Sequence, residues 1–344
     1  MPRSLLDHWT PEQAARMDRE IFVAQHRLHT LPQFSDDALV ELLDRHPRRD
    51  LGINTMGRDP ADRNEWREGS AGELNGTQLL EAASRGRIWL NIRRVLDHHP
   101  QLSDLVHDLY ADLEAATPGL RTFNRSANLL ISSPGAQVYY HLDCPVNMLW
   151  HIRGRKRVWA YPLESGIVSD ATIEGVLAGE KSEELDFRPE WDELAISTEL
   201  EPGEMITWPQ HTPHRVVNTE GLNVSLSTEH MTRAAVRRNN GVDNTGGLTW
   251  PVPTDRSPRA GGGRKTGRPA NRHFRSLLPG AWTNTKQTGL RPALKEFALR
   301  MARRIPAIAP APPQGYRYPV TFEVDLAEPD CVRLLGEREL VETL

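Results

Sequence analysis

Cysteine is nearly missing from this chain: 344 residues contain two, Cys144 and Cys331. Two thiols cannot build the disulfide framework of a small secreted domain, so a reducing, cytoplasmic setting is expected. Long apolar runs are missing as well, and mean hydropathy is −0.55. A bilayer-spanning helix needs roughly 20 consecutive apolar residues, so no membrane partner is expected. The opening residues, Met-Pro-Arg-Ser-Leu-Leu-Asp-His-Trp, lack the apolar core of a secretory signal. Neither sign of charge dominates: 42 Lys and Arg stand against 46 Asp and Glu, and a net −4 points to no polyanionic partner for the whole chain. No internal repeat is visible. What remains is the composition of an ordinary globular protein, long enough for one large domain with appendages or for two domains.

Taken in order, Thr10-Pro11-Glu12-Gln13 has the residues of a capped helix start, and a helix is expected to run to about His29. Ser35-Asp36-Asp37 opens a second helix with Leu39, Leu42 and Leu43 on one face. Thr77 is read as the cap of a short helix over 78–84, and Ile88 to Ile92 as a strand. Leu102, Leu105, Leu109 and Leu113 then recur at helical spacing. Residues 128–230 read as short strands, with turns expected at Arg153-Gly154-Arg155 and Glu220-Gly221. That pattern predicts a sandwich or barrel. An acidic, helix-prone insertion over about 166–200 is expected at its mouth.

Two stretches carry chemistry. In Tyr139-Tyr140-His141-Leu142-Asp143-Cys144-Pro145-Val146-Asn147, His141 and Asp143 form an H-x-D pair. Residues i and i+2 of a strand project from one face, so imidazole and carboxylate stand side by side. A second imidazole would complete a two-His, one-carboxylate facial triad with open positions on Fe(II). The stretch Trp208 to Val216 offers two, His211 and His214. His214 follows Pro213, which biases Thr212 to extended backbone, and leads into Val216-Val217 as a strand-entrance ligand would. His211 reads as turn or rim.

The spacing H-x-D-x(3)-N-x(6)-G-x-K, followed by P-x(4)-H-x-V, resembles the JmjC/cupin-like Fe(II)- and 2-oxoglutarate-dependent oxygenases, particularly their hydroxylase branch. The resemblance covers roughly residues 85–230. It implies a mainly β fold with helical decoration around a double-stranded β-helix (cupin or jelly-roll) core. It implies Fe(II) held by His141, Asp143 and His214, 2-oxoglutarate as cosubstrate with its far carboxylate on Lys156, and Asn147 close to that cosubstrate. Succinate and CO2 would be co-products of hydroxylation. The carboxylate ligand fills the position a halide would need, so hydroxylation is expected over halogenation. Demethylation is disfavoured, because nothing resembles the reader or zinc modules that usually accompany it.

The residues bear on these expectations independently. A carboxylate anchored inside a barrel needs a cation there, which favours Lys156; the position ten residues after His214, where other 2-oxoglutarate enzymes carry Arg, is Val224. Tyr139 shares the parity of His141 and is taken as a further cosubstrate-binding candidate. His151, where related hydroxylases often carry Gln, has the parity of Asn147, so it is expected to face the cavity. Cys144 points to the opposite face and is read as a packed thiol, while Trp150, Trp159 and Trp208 are read as packing residues.

Four regions are expected: a helical N-terminal region (1–84), a catalytic domain (85–232), a basic linker (233–275) and a C-terminal extension (276–344). The linker holds ten basic against two acidic residues, a net +8. It supports an alternative reading, a cupin-type regulatory or nucleic-acid-binding protein, whose binding would be strongly salt-dependent. The primary substrate, a peptide side chain or a small molecule, stays open at this point.

Overall fold

The structure, a computed structural model, describes residues 4–239 and 319–336. Of these, 4–167, 183–232 and 319–336 form one compact unit, and 168–182 and 233–239 belong to a second. Among the described residues no helix is long and apolar enough to cross a membrane.

The first unit contains thirteen strands. They are β1 (Leu6–Asp7), β2 (Phe22–His26), β3 (Leu51–Thr55), β4 (Arg67–Ser70), β5 (Trp89–Ile92), β6 (Phe123–Ser132) and β7 (Gln137–His141). After them come β8 (Val146–Ala160), β9 (Ile196–Leu200), β10 (Glu204–Thr207), β11 (His214–Met231), β12 (Val320–Val324) and β13 (Val332–Leu334). The hydrogen-bonded order is β1-β2-β10-β8-β11-β6-β5-β3-β4-β12-β13, with β7 added on β11 and β9 on β8. Pairing is antiparallel except where β12 lies parallel to β4.

Strands β8 and β11 are the spine. They pair along their full lengths, from Ala160 opposite His214 to Val146 opposite His230. Midway the register slips, with Lys156 opposite Asn218 but Arg153 opposite Val224. Gly154 and Gly221 sit there at φ +76° and +67°. A Cβ on Gly154 would meet Asn223 Nδ2 and the carbonyls of Leu222 and Glu220 at 2.6–2.8 Å. The two expected turns are therefore matched kinks, not reversals. Glycine's left-handed freedom lets both strands bend together. Beyond the kink their outer neighbours change, from β10 and β6 to β9 and β7. Two sheet halves thus share one pair of strands, the double-stranded β-helix expected from the sequence.

Strand alternation divides the faces of the larger half. Leu90, Ile92, Leu129, Ile131, Met148 and Trp150 join the main apolar core, while Asn91, Asn128, Leu130, Asn147 and Leu149 face a cavity. On the core side lie α2 (Asp36–Arg45), α3 (Gly76–Arg85) and α5 (Pro100–Ala116), after α1 (Pro11–Arg16) and with α4 (Val95–His98) between. Their buried leucines are Leu39, Leu42, Leu43, Leu79, Leu80, Leu102, Leu105, Leu109 and Leu113. The helical stripes read from the sequence around α2 and α5 are these residues.

Two local expectations change. Helix α1 does carry the Thr10–Gln13 capping box but ends at Arg16. Asp18 then takes φ +55°, and Phe22, Ala24 and His26 alternate into the core as β2 pairs with β10. Sheet pairing overrides helix propensity there. For α3 the cap is Asn75, in a capping box with Gln78, and not Thr77.

In the second unit, α6 (Asp170–Leu177) is capped by Ser169 and buries Ile173 and Val176, and α7 (Arg233–Asn239) is basic at its end. Most of the basic 233–275 segment, and the helix expected over Pro292 to Arg304, lie outside the described residues. Of the strand expected over Tyr316 to Val324, residues 316–318 lie outside the described residues and β12 covers Val320–Val324.

Candidate active site

Between the two sheet halves lies a cavity of about 270 Å³. His141 ends β7 and His214 begins β11, and the two are register partners, so the backbone ladder brings their imidazoles together. Their ring centroids are 4.1 Å apart. Asp143 follows in the turn before β8, with Oδ1 3.9 Å from His141 Nε2 and Oδ2 3.5 Å from His214 Nε2. One ligand atom from each residue lies within 4.8 Å of the others, the one such trio among the described residues.

The hydrogen bonds around this trio fix its tautomers. His141 Nδ1 is 2.7 Å from the Tyr139 carbonyl, and His214 Nδ1 is 3.1 Å from the Thr212 carbonyl. A carbonyl only accepts, so each Nδ1 carries the proton and donates. Each Nε2 is left with a lone pair aimed at the shared centre, as a metal-ligating histidine requires. Asp143 Oδ2 is buried with no hydrogen-bond partner. An orphaned carboxylate oxygen facing two imidazole lone pairs is costly unless a cation joins them. The donor set fits a divalent metal of the first transition row.

Burial shapes the electrostatics. Desolvation raises the Asp143 pKa, opposed by the His141 charge and an Asn147 hydrogen bond. Burial, then the His141 charge, holds His214 well below the ordinary imidazole value. Two further carboxylates line the cavity. Burial and then the Asp143 charge raise Glu183, and the same two causes push Glu229 up to about 7. Glu229 accepts from Ser126 Oγ at 2.9 Å. Glu183 arrives on the insertion: its carbonyl accepts from Leu142 N, Leu185 N donates to the Tyr140 carbonyl, and Arg215 pairs with Asp192 further along.

Lys156, 4% exposed on β8, also lines the cavity. Among the described residues no hydrogen bond or ion pair engages its ammonium, and burial lowers its pKa to about 7. A buried, unpartnered cation beside open space is a seat for an anion. Asn147 also lines the cavity, with Nδ2 donating to Ser227 Oγ at 3.2 Å.

Other residues singled out in the sequence lie elsewhere. Tyr139 packs with Met56, Ala136 and Trp66, and its hydroxyl accepts from Gly57 N at 3.1 Å; it does not line the cavity. Nor does His151, contrary to the parity expectation. Its Nε2 donates to the Gly154 carbonyl at 2.9 Å and its Nδ1 accepts from Ser225 Oγ at 3.0 Å, so the kink absorbs both ring nitrogens. His211 is buried at φ +70° in the turn before β11, outside the trio. Trp208, read as packing, both lines the cavity and lies against His214 with centroids 4.2 Å apart. Sequence reasoning missed Glu183, Glu229 and the buried Gln210. Only Glu229 had a legible signal, its place on a β11 face shared with cavity-lining Ser227.

No protein-family model and no curated protein matches the chain. Solved structures do. An X-ray structure of Escherichia coli ycfD is 16% identical, with 88% of this chain and 73% of that one covered and a TM-score of 0.50. A second structure, of the E. coli ribosomal oxygenase YcfD, is 15% identical over 92% and 74% of the two chains, TM-score 0.48. Its complex with cobalt and 2-oxoglutarate is 16% identical over 93% and 74%, TM-score 0.47. At such identity the likeness speaks for the architecture, and the chain has the fold of E. coli ycfD.

Proposed function

We propose that this protein is an Fe(II)- and 2-oxoglutarate-dependent oxygenase that hydroxylates a peptide side chain or a small molecule. One observation carries the reading. Two carbonyl-oriented imidazoles and an orphaned buried carboxylate converge in a cavity also lined by a buried lysine without a partner among the described residues. The same spacing in the sequence supports it, as does the fold.

His141, Asp143 and His214 would hold the metal, and Lys156 the far carboxylate of the cosubstrate. When bound, Fe(II) and 2-oxoglutarate supply the oxygen chemistry, in which the cosubstrate is decarboxylated to succinate and CO2 as a C–H bond is hydroxylated. The two histidines contribute neutral lone pairs because their Nδ1 protons are committed to carbonyls. Asp143 contributes the anionic ligand. Lys156 would hold the cosubstrate's far carboxylate, and Glu183 and Glu229 are further cavity-lining groups that a substrate would meet. Lys156 is buried, so its pairing with a carboxylate would be stronger than in bulk solvent. That ycfD is named a ribosomal oxygenase makes a protein side chain the first substrate class to try.

The test is succinate formation from 2-oxoglutarate by the purified protein with Fe(II) and O2, together with analysis of co-purified metal. Absence of both metal and turnover would remove the reading.

A further inference from the structure

The backbone ladder places His141 opposite His214, but it does not place Asp143. That residue lies two positions beyond the end of β7, in the turn Leu142 to Pro145. The turn is held on its two sides. Before Asp143, Leu142 N donates to the Glu183 carbonyl at 3.1 Å. After it, the Cys144 carbonyl accepts from Gln210 Nε2 at 2.6 Å. Gln210 is 2% exposed and belongs to the other turn, the one that delivers His214. Its backbone N donates to Asp18 Oδ1 at 3.0 Å, which anchors it from the N-terminal side.

We propose that Gln210 is a positioning residue for the metal centre, one that locks the Asp143 turn to the His214 turn and so sets the carboxylate against the two imidazoles. This rests on the metal reading above. The physical argument is one of distance and freedom. A turn residue without ladder bonds keeps backbone freedom that a strand residue has lost, and a ligand must be held to within a few tenths of an ångström. A buried amide donating at 2.6 Å to the carbonyl next to Asp143 removes that freedom. Partners that orient metal ligands typically contribute 10- to 100-fold in metal affinity.

The experiment is an anaerobic Co(II) titration followed by the visible d–d band, a readout independent of turnover. Gln210→Met keeps volume and removes the donor. Thr55→Val is the control: Thr55 Oγ1 donates to the Arg87 carbonyl at 2.7 Å, a buried hydrogen bond of the same kind away from the cavity. Gln210→Met should weaken Co(II) binding about 10- to 100-fold and alter the band shape, while Thr55→Val lowers the melting temperature and leaves the Co(II) dissociation constant unchanged. If Gln210→Met does not fold, Gln210→Asn, which withdraws the amide by one methylene, reads the same comparison. Wild-type-like Co(II) binding by the Gln210 variant, with only the stability loss of the control, overturns the proposal and leaves the metal reading standing. Failure of the wild-type protein itself to take up Co(II) overturns both.

Discussion

His141, Asp143 and His214 form one histidine–carboxylate cluster, and His46, His98, His99 and Asp50 form another. Only the first presents its donors to a common point. In the second, His46 Nδ1 is bonded to His99 Nε2 at 3.0 Å, their rings stacked at 14°, and His98 Nε2 is bonded to Asp50 Oδ2 at 2.7 Å. Its donors are turned on one another and on their own carboxylate, and the one buried ring nitrogen left without a partner, His46 Nε2, meets no converging carboxylate and imidazole. In the first, each imidazole gives its proton to a backbone carbonyl and keeps the other nitrogen free. The difference teaches that residue types do not make a metal site. What makes one is that the free ring nitrogens and a carboxylate converge on a common point.

The sharpest way to break this contrast is to remove a donor from each cluster. Asp143→Ala or His214→Ala should abolish Fe(II)-dependent 2-oxoglutarate turnover with the fold largely intact. His99→Ala should leave turnover in place and lower thermal stability. Equal turnover in all three, measured as succinate released, would mean that the first cluster is not the metal centre.

Next in size is Lys156→Ala. Leaving one charge of a buried pair without its partner typically costs about 3–5 kcal/mol, so 2-oxoglutarate binding should weaken at least about a hundredfold, at tenfold per 1.4 kcal/mol. Lys156→Arg should recover part of this, because a planar guanidinium is a poor copy of a compact ammonium. Calorimetric titration of the cosubstrate into Co(II)-loaded protein reads both. An unchanged affinity would place the anchor elsewhere.

The second cluster should show itself in acid. Burial, more than the neighbouring histidine charges, lowers His46 to about 4, and burial also lowers His99. Unfolded imidazoles take up protons near pH 6.5, which the folded His46 resists until about 4. In that window the unfolded state binds more protons, so this contribution to stability is present above about 6.5 and is lost as pH falls toward 4. The linkage slope is about 1.4 kcal/mol per pH unit for each proton taken up on unfolding. Urea melts at pH 7 and 5 should show a smaller pH dependence in His46→Gln than in the wild type. An identical dependence would mean that His46 does not titrate in this window.

The smallest effect sharpens the comparison at close range. His211 lies three residues from His214 but outside the trio. His211→Ala should leave Co(II) affinity unchanged. A loss matching that of His214→Ala would reassign the third donor.

Much of this was legible in the chain, because the relevant rules are local. The H-x-D spacing kept Asp143 beside His141, though through the turn after β7 and not by strand parity; proline placed His214 at a strand entrance, and leucine spacing marked the buried stripes of α2 and α5. Other readings failed where a local signal had two physical outcomes. Gly154 and Gly221 have the backbone freedom of turns, but their strands were already paired, so the freedom was spent on a shared kink. Residues 17 to 26 have helix-compatible composition, yet α1 stops at Arg16 and pairing with β10 draws Phe22–His26 into a strand instead. His151 has cavity parity, yet the kink carbonyl and Ser225 captured its ring.

By itself the sequence determined which side chains could meet a metal and a carboxylate, since spacing and alternation are properties of the covalent chain. Tertiary structure alone decided that Gln210 reaches Cys144, that Glu183 enters the cavity from an insertion, and that Lys156 has no partner among the described residues. Those three facts depend on segments far apart in the chain. Their proximity depends on how β7 and β8 pair with the distant β11, an outcome of packing that no window of sequence contains.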